Sequence, residues 1–358
     1  MSEDEIADPA TNPHLFGHAA AEGAFLRAWR SGRMPHAWLL TGPRGVGKAT
    51  LAHRAARFVL SGGGEAGGGL FGGGPEDLAV DMEAPAVRRM LAGGHPDFRL
   101  VTRSENDQGK LRQEIVVADV RDLGQFLRLT PAAGGWRVAI VDAADDLNRN
   151  AANALLKVLE EPPRQALLLL TSHSPGRLLA TIRSRCRRLP LAPLPADAVI
   201  DGLRRLRPSV AGDQVGAIAA LADGSIGRAV MLADLDGVTV YRELLALFER
   251  WPRLDLAAIA DWAERVTKAG QGEGYAIATD LLLGWLARIA AAAAGHVTAA
   301  ALPEETDAAA RLIAGGRLDR WVGLWEKTSD LLARADGLDL DRRHVLLTAL
   351  TSLDGPPA

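Results

Sequence analysis

The sequence predicts an α/β domain, a parallel sheet with helices on both faces, followed by an all-helical remainder. Three observations carry this. The runs Ala37-Trp-Leu-Leu-Thr41, Val138-Ala-Ile-Val141 and Leu167-Leu-Leu-Leu-Thr171 are short and apolar throughout, as strands buried on both faces must be. Each is followed by a helical pattern, the alternation of a parallel sheet. Beyond about residue 196, apolar residues recur at helical spacing, as in Leu244, Leu245, Phe248 and Trp251, or Trp321, Leu324, Trp325 and Leu331. These stripes are expected to form a helix–helix core.

The turn after the first strand carries the chemistry. Gly42-Pro-Arg-Gly45-Val-Gly47-Lys48-Ala49 matches G-x-x-x-x-G-K-[S/T] up to its last position. Glycines at 42, 45 and 47 allow a tight loop whose N–H groups converge on phosphate oxygens, and the helix expected over 49–60 points its positive end at them. Lys48 adds a point charge; with only five lysines among 41 basic residues, its place here is not casual. Alanine at 49 removes the hydroxyl that would touch Mg²⁺. Thr50, one residue later and about 100° around the helix, is a poor substitute.

The second strand ends in Asp142, where a phosphate-loop protein holds its magnesium-organising carboxylate, although an acid at a strand end also serves as a helix cap. Ala143 follows, not a glutamate that would orient water. Asp145 and Asp146 lie close enough in sequence to reach a water, with no spacing that favours it.

Composition narrows the class. A chain of 358 residues with 48% hydrophobic content has room for two or three domains. A net charge of −3 gives no global pull toward nucleic acid. One cysteine excludes an intramolecular disulfide and a cysteine-based zinc cluster. The acidic start Met1-Ser-Glu-Asp-Glu-Ile is unlike a secretory signal, and the apolar stretch 276–294 contains Asp280, Gly284 and Arg288, unlike a bilayer span. A cytoplasmic chain without membrane contact is expected. Residues 61–75 hold nine glycines and read as an insertion unable to pack a core. Pro193 and Pro195 mark a linker. The expected domains are 1–191, a small helical unit at 192–234 and a longer helical one at 235–358.

Two blocks are more specific. Asn153-Ala-Leu-Leu-Lys-Val-Leu-Glu-Glu-Pro-Pro163 follows the Asp142 strand, and Leu178-Leu-Ala-Thr-Ile-Arg-Ser184-Arg185-Cys186 follows the third strand. With Phe16-Gly-His18, Met34-Pro-His-Ala-Trp38 and Gly224-Ser-Ile-Gly-Arg228, they resemble the bacterial clamp-loader branch of the AAA+ ATPases. That resemblance implies an AAA+ P-loop domain, a helical lid and a C-terminal all-α collar through which subunits form an open five-membered ring. Within the branch, Ala49, Ala143 and the missing cysteine cluster resemble the member inactive as an ATPase, not the motor. Many such relatives carry a zinc module where this chain has its Gly-rich run.

The resemblance also implies roles. Arg185, in the Ser-Arg-Cys motif, would reach the γ-phosphate held by an adjacent motor subunit, stabilising charge on the phosphoryl oxygens. The residues alone leave open a surface arginine in a turn crowded by Arg183, Arg187 and Arg188. Arg228 falls near the lid arginine that senses nucleotide, with a helix-surface arginine the alternative. Cys186 reads as a small buried hydrophobe. Gly42, Gly45, Gly47, Lys48, Thr50, Asp142 and Arg228 form the degenerate nucleotide site, with ATP or ADP its candidate occupant, no cofactor required and no zinc. Implied partners are the motor subunits and the clamp-opening delta subunit and, through the complex, the sliding clamp and primed DNA.

Overall fold

The computed structural model describes residues 8–63, 75–132, 135–251, 253–268, 272–296, 299–314, 318–338 and 340–353, with 336–338 described as backbone only. The acidic first residues and positions 64–74 of the Gly-rich run lie outside the described residues.

Residues up to Ala198 with Ser225–Gly227 make one compact unit, and Val199–Gly224 with the residues from Arg228 onward make a second. In the first, the order is α1 (Ala19–Arg30), β1 (Ala37–Thr41), α2 (Lys48–Leu60), α3 (Pro85–Leu91), β2 (Phe98–Val101), α4 (Val117–Arg128), β3 (Arg137–Val141), α5 (Arg149–Glu160), β4 (Ala166–Ser172), α6 (Ala180–Arg185) and β5 (Arg187–Pro190). The sheet order is β2-β3-β4-β1-β5, parallel throughout.

The three apolar runs are the three central strands. On one face of the sheet Leu39, Ala139, Val141, Leu168 and Leu170 pack with Leu123 and Phe126 of α4, Leu155 and Leu159 of α5 and Ile182 of α6. On the other, the Trp38 ring lies 5.3 Å from that of Phe25 on α1. Both faces are covered, so these strands cannot alternate polar and apolar residues. The edge strands differ: β2 exposes Arg99 and Leu100, and β5 exposes Arg187 and Arg188. Neither is visible as an apolar run.

Two buried arginines of α2 hold the segment before α1. Arg57 (1% exposed) donates to the carbonyls of Ala10 and Asn12, and Arg54 donates to Pro13 O and pairs with Glu22 at 2.7 Å.

The second unit consists of α7 beyond Ala198 (α7 is Ala196–Leu206), α8 (Gly212–Leu221), α9 (Ile226–Asp234) from Arg228, α10 (Gly237–Ala246), α11 (Leu256–Lys268), α12 (Glu273–Ala293), α13 (Pro303–Ala314), α14 (Leu318–Leu338) and α15 (Arg342–Thr351). Its centre is aromatic, with Trp262, Trp285 and Trp321 buried and Phe248 4.5 Å from Trp285. A polar network ties three helices: Arg288 on α12 donates to Glu305 on α13 at 2.6 Å and to the Tyr241 hydroxyl on α10 at 2.7 Å. Helix α12 is long and apolar enough to cross a membrane by length and composition, but its Leu281, Leu282, Trp285 and Leu286 are buried in this bundle. One stripe needs correcting. Trp325, expected in the core, is 38% exposed. The buried face of α14 runs through Trp321, Thr328 and Leu332, and Trp325 sits at its rim, about 40° round the helix.

One buried base makes the first unit sensitive to acid. His53 on α2 is 5% exposed, and burial, reinforced by the Arg57 charge, pushes its pKa down to about 4. The folded state therefore binds fewer protons than the unfolded chain between about pH 6.5 and pH 4. Its stabilising share is complete above about pH 6.5 and declines as pH falls to about 4, by roughly 3 kcal/mol at most. Denaturant titrations at pH 7 and pH 4.5 should show His53→Gln losing less stability on acidification than the unsubstituted chain. Equal losses would place the acid sensitivity elsewhere.

Candidate functional site

Strand β4 lies between β1 and β3, so three carboxyl ends open side by side, where ligands bind in open α/β sheets. The Gly42–Gly47 loop leaves β1, Asp142 leaves β3, and Thr171 sits at the corresponding level of β4. The Thr171 hydroxyl donates to Asp142 Oδ1. Thr171, which the sequence did not single out, thus joins the two strands at the site.

The loop has the shape its glycines predict. Gly42 has φ +152°, and a Cβ there would lie 2.2 Å from the Leu191 carbonyl oxygen. Gly45 and Gly47 also have positive φ, at 69° and 109°. Lys48 opens α2 and is 7% exposed; its Nζ donates to the carbonyls of Gly42 at 2.8 Å and Pro43 at 2.5 Å. Burial lowers its pKa to about 8, with the Asp142 and Asp145 carboxylates opposing that shift. Ala49 and Thr50 follow in the first helical turn, both half-buried.

Three contacts hold the loop's carbonyls. His18 Nε2 lies 2.7 Å from Val46 O, the Ser225 hydroxyl donates to Arg44 O at 2.9 Å, and Gly227 N–H donates to Gly45 O at 2.9 Å. The last contact is backbone on backbone: a Cβ on Gly227 would meet Gly45 Cα at 2.9 Å. His18 and Ser225–Gly227, from two stretches known from the sequence only by resemblance, therefore both touch the loop.

Asp145 is engaged structurally. Its side chain is 0% exposed, and its oxygens accept from Ser172 Oγ at 3.0 Å, His173 N at 2.8 Å and Ser174 N at 2.9 Å. His173 Nδ1 lies 3.1 Å from Asp145 Oδ2, and Arg44 of the loop lies 3.3 Å from Nε2. A neutral imidazole protonated at Nδ1 satisfies both partners, and burial lowers the His173 pKa despite the neighbouring carboxylate. Asp145 is a bracket for the end of β4, with its lone pairs already committed, and is not placed to activate water. Asp146 pairs with Arg103 at 3.4 Å.

The arginines separate by partner. Arg183 donates to the carbonyls of Pro175, Gly176 and Leu178, capping that turn. Arg187 stacks over the Trp38 ring at 4.9 Å. Arg185, the last residue of α6, is 35% exposed, pairs with Glu160 at 2.8 Å and donates to Thr181 O at 3.1 Å. Cys186 is buried, with its thiol pushed up to about 12 by burial. Arg228 is in the second unit, where it pairs with Asp280 at 2.7 Å.

With this geometry in view, the comparisons with known proteins are specific. The family described as "DNA polymerase III, delta subunit" matches residues 17–195. The DNA polymerase III subunit delta' of Pseudomonas aeruginosa is 36% identical over 243 residues, 63% of this chain and 69% of that protein. The chain belongs to the delta-prime family of DNA polymerase III subunits. The Escherichia coli subunit delta' is 33% identical over 57% of this chain, and the match spans little more than half, 56%, of its length. A DNA polymerase III gamma subunit-related protein of Thermotoga maritima is similar in structure at 16% identity and TM-score 0.44, over 92% of this chain and 98% of that one. The stretch that matches the family, 17–195, holds the loop, Asp142, Asp145 and Arg185.

Two substitutions test this account of the site. Asp145→Ala leaves two backbone N–H groups and a hydroxyl without their acceptor, and should lower the unfolding free energy by about 2–4 kcal/mol in denaturant titrations. A change below about 0.5 kcal/mol would mean that Asp145 is no bracket. Gly227→Ala should cost about 1–3 kcal/mol and increase amide exchange at Gly45 and Val46, because the new methyl must push the loop away. Unchanged exchange there would show that Gly227 does not hold the loop.

Proposed function

We propose that the chain is an ATPase-deficient stator of the DNA polymerase III clamp loader that completes a neighbouring motor subunit's ATP site with Arg185. In this role it works in the cytoplasm with motor subunits and the clamp-opening delta subunit, helping to load the sliding clamp onto primed DNA. The observation that carries the reading is a division of parts within one domain. The loop keeps Lys48 and its glycines, yet Ala49 and Ala143 stand where a metal hydroxyl and a water-orienting acid are needed, and the nearby Asp145 is consumed by Ser172, His173 and Ser174. Arg185, in contrast, keeps a charged fork at the surface.

The chemistry suits supply in trans. A guanidinium is permanently charged and planar, and it offers several N–H donors to phosphoryl oxygens as charge spreads over them. Hydrolysis then depends on assembly, because the finger and the nucleotide lie on different chains. The degenerate loop can hold ADP or ATP phosphates through Lys48 and the backbone without turnover.

Reconstituting the clamp loader with Arg185→Ala tests the reading. DNA-stimulated ATP hydrolysis by the complex should fall ~10³-fold or more at the site this chain completes, with assembly unchanged by sedimentation. Unchanged turnover of that site would leave Arg185 as an interface ion pair only.

A further inference from the structure

The Arg185 guanidinium is fixed inside its own chain by two partners on two elements. Glu160 Oε1 accepts from Nη2 at 2.8 Å, and the Thr181 carbonyl accepts from Nη1 at 3.1 Å. We infer that Glu160 is a positioning residue for Arg185, holding the guanidinium so that its outer N–H groups are aimed and ready when a neighbour's phosphate arrives. The inference rests on the trans-finger reading and adds a residue to it.

Sequence and structure agree on what makes Glu160 suitable. It is the last residue of α5, and a carboxylate at a helix C-terminus opposes the helix dipole, so local helix energetics do not favour it there. Pro162 and Pro163 follow and stop the helix, fixing the chain direction just beyond Glu160. Helix α5 is itself anchored, with Leu155 and Leu159 in the same core as Leu178 and Ile182 around α6. Glu160 and Arg185 thus sit on two helices packed rigidly together.

The donor count leaves the finger usable. An arginine has five N–H donors in one plane. Glu160 and Thr181 engage one each in the contacts above, and the rest of the fork remains for phosphoryl oxygens. Holding the plane in advance removes part of the rotamer entropy that a free arginine would otherwise lose in the transition state. Glu160 is 50% exposed, so the pair is a partly screened surface bridge and its effect is modest.

The test uses the full clamp loader carrying Glu160→Gln, Arg185→Ala or both, with kcat and KM for ATP measured on primed DNA with clamp. Glu160→Gln should lower kcat roughly two- to fivefold with KM unchanged, and have no further effect on Arg185→Ala. In the isolated chain, the Arg185 Nε–Hε order parameter measured by NMR should fall in Glu160→Gln. If Arg185→Ala collapses turnover but Glu160→Gln matches the unsubstituted complex, the positioning role is wrong and the finger stands. If Glu160→Gln lowers turnover equally with and without Arg185, it acts on the fold and the inference is overturned. If Arg185→Ala changes nothing, finger and positioning residue fall together.

Discussion

The placement of β4 between β1 and β3 is the constraint on which the rest of the first unit depends. Because Leu168–Leu170 are buried on both faces and paired on both edges, the strand ends cannot shift relative to one another without breaking two ladders. That fixes the phosphate-type loop, Asp142 and Thr171 in one row. It also fixes α5 and α6, which leave β3 and β4 and pack side by side on one face, and hence the spot where Arg185 emerges.

The acids around the site show how one residue type serves different ends. Asp142 faces the Thr171 hydroxyl at the mouth of the sheet, while Asp145, three residues on, is enclosed and accepts from Ser172, His173 and Ser174 at the end of β4. With a hydroxyl, two backbone amides and the His173 ring already donating to it, Asp145 has no lone pair left for a water. The loop is likewise finished as a structure, with its carbonyls held by His18, Ser225 and Gly227, although a metal-binding hydroxyl is missing at Ala49. The loop's architecture is thus complete while alanine stands at positions 49 and 143.

Much of this was legible in the sequence, for physical reasons. Strands β1, β3 and β4 stood out because burial on both faces demands uninterrupted apolar residues. Strands β2 and β5 did not, since at an edge Arg99 and Arg188 can stay exposed and Pro190, which has no N–H to give, can pair on one side only. The glycine pattern gave the loop because only glycine fits against the Leu191 carbonyl. The role of Asp145 was not legible, because its partners lie 27 to 29 residues away and include backbone groups that carry no sequence signature. The same holds for Glu160, whose link to Arg185 exists only once α5 and α6 pack. Arg228 was placed near a nucleotide-sensing position only by resemblance, with a helix-surface arginine equally open, and its pairing with Asp280, 52 residues away, had no sequence signature.

The central claim is that the site keeps its phosphate-binding frame but lacks the groups for hydrolysis. The most direct measurement is ATP turnover by the purified chain alone, with Mg²⁺, beside its Lys48→Ala variant. The account predicts turnover at background for both. Robust Mg²⁺-dependent hydrolysis that vanishes in Lys48→Ala would contradict it and make the chain a motor in its own right.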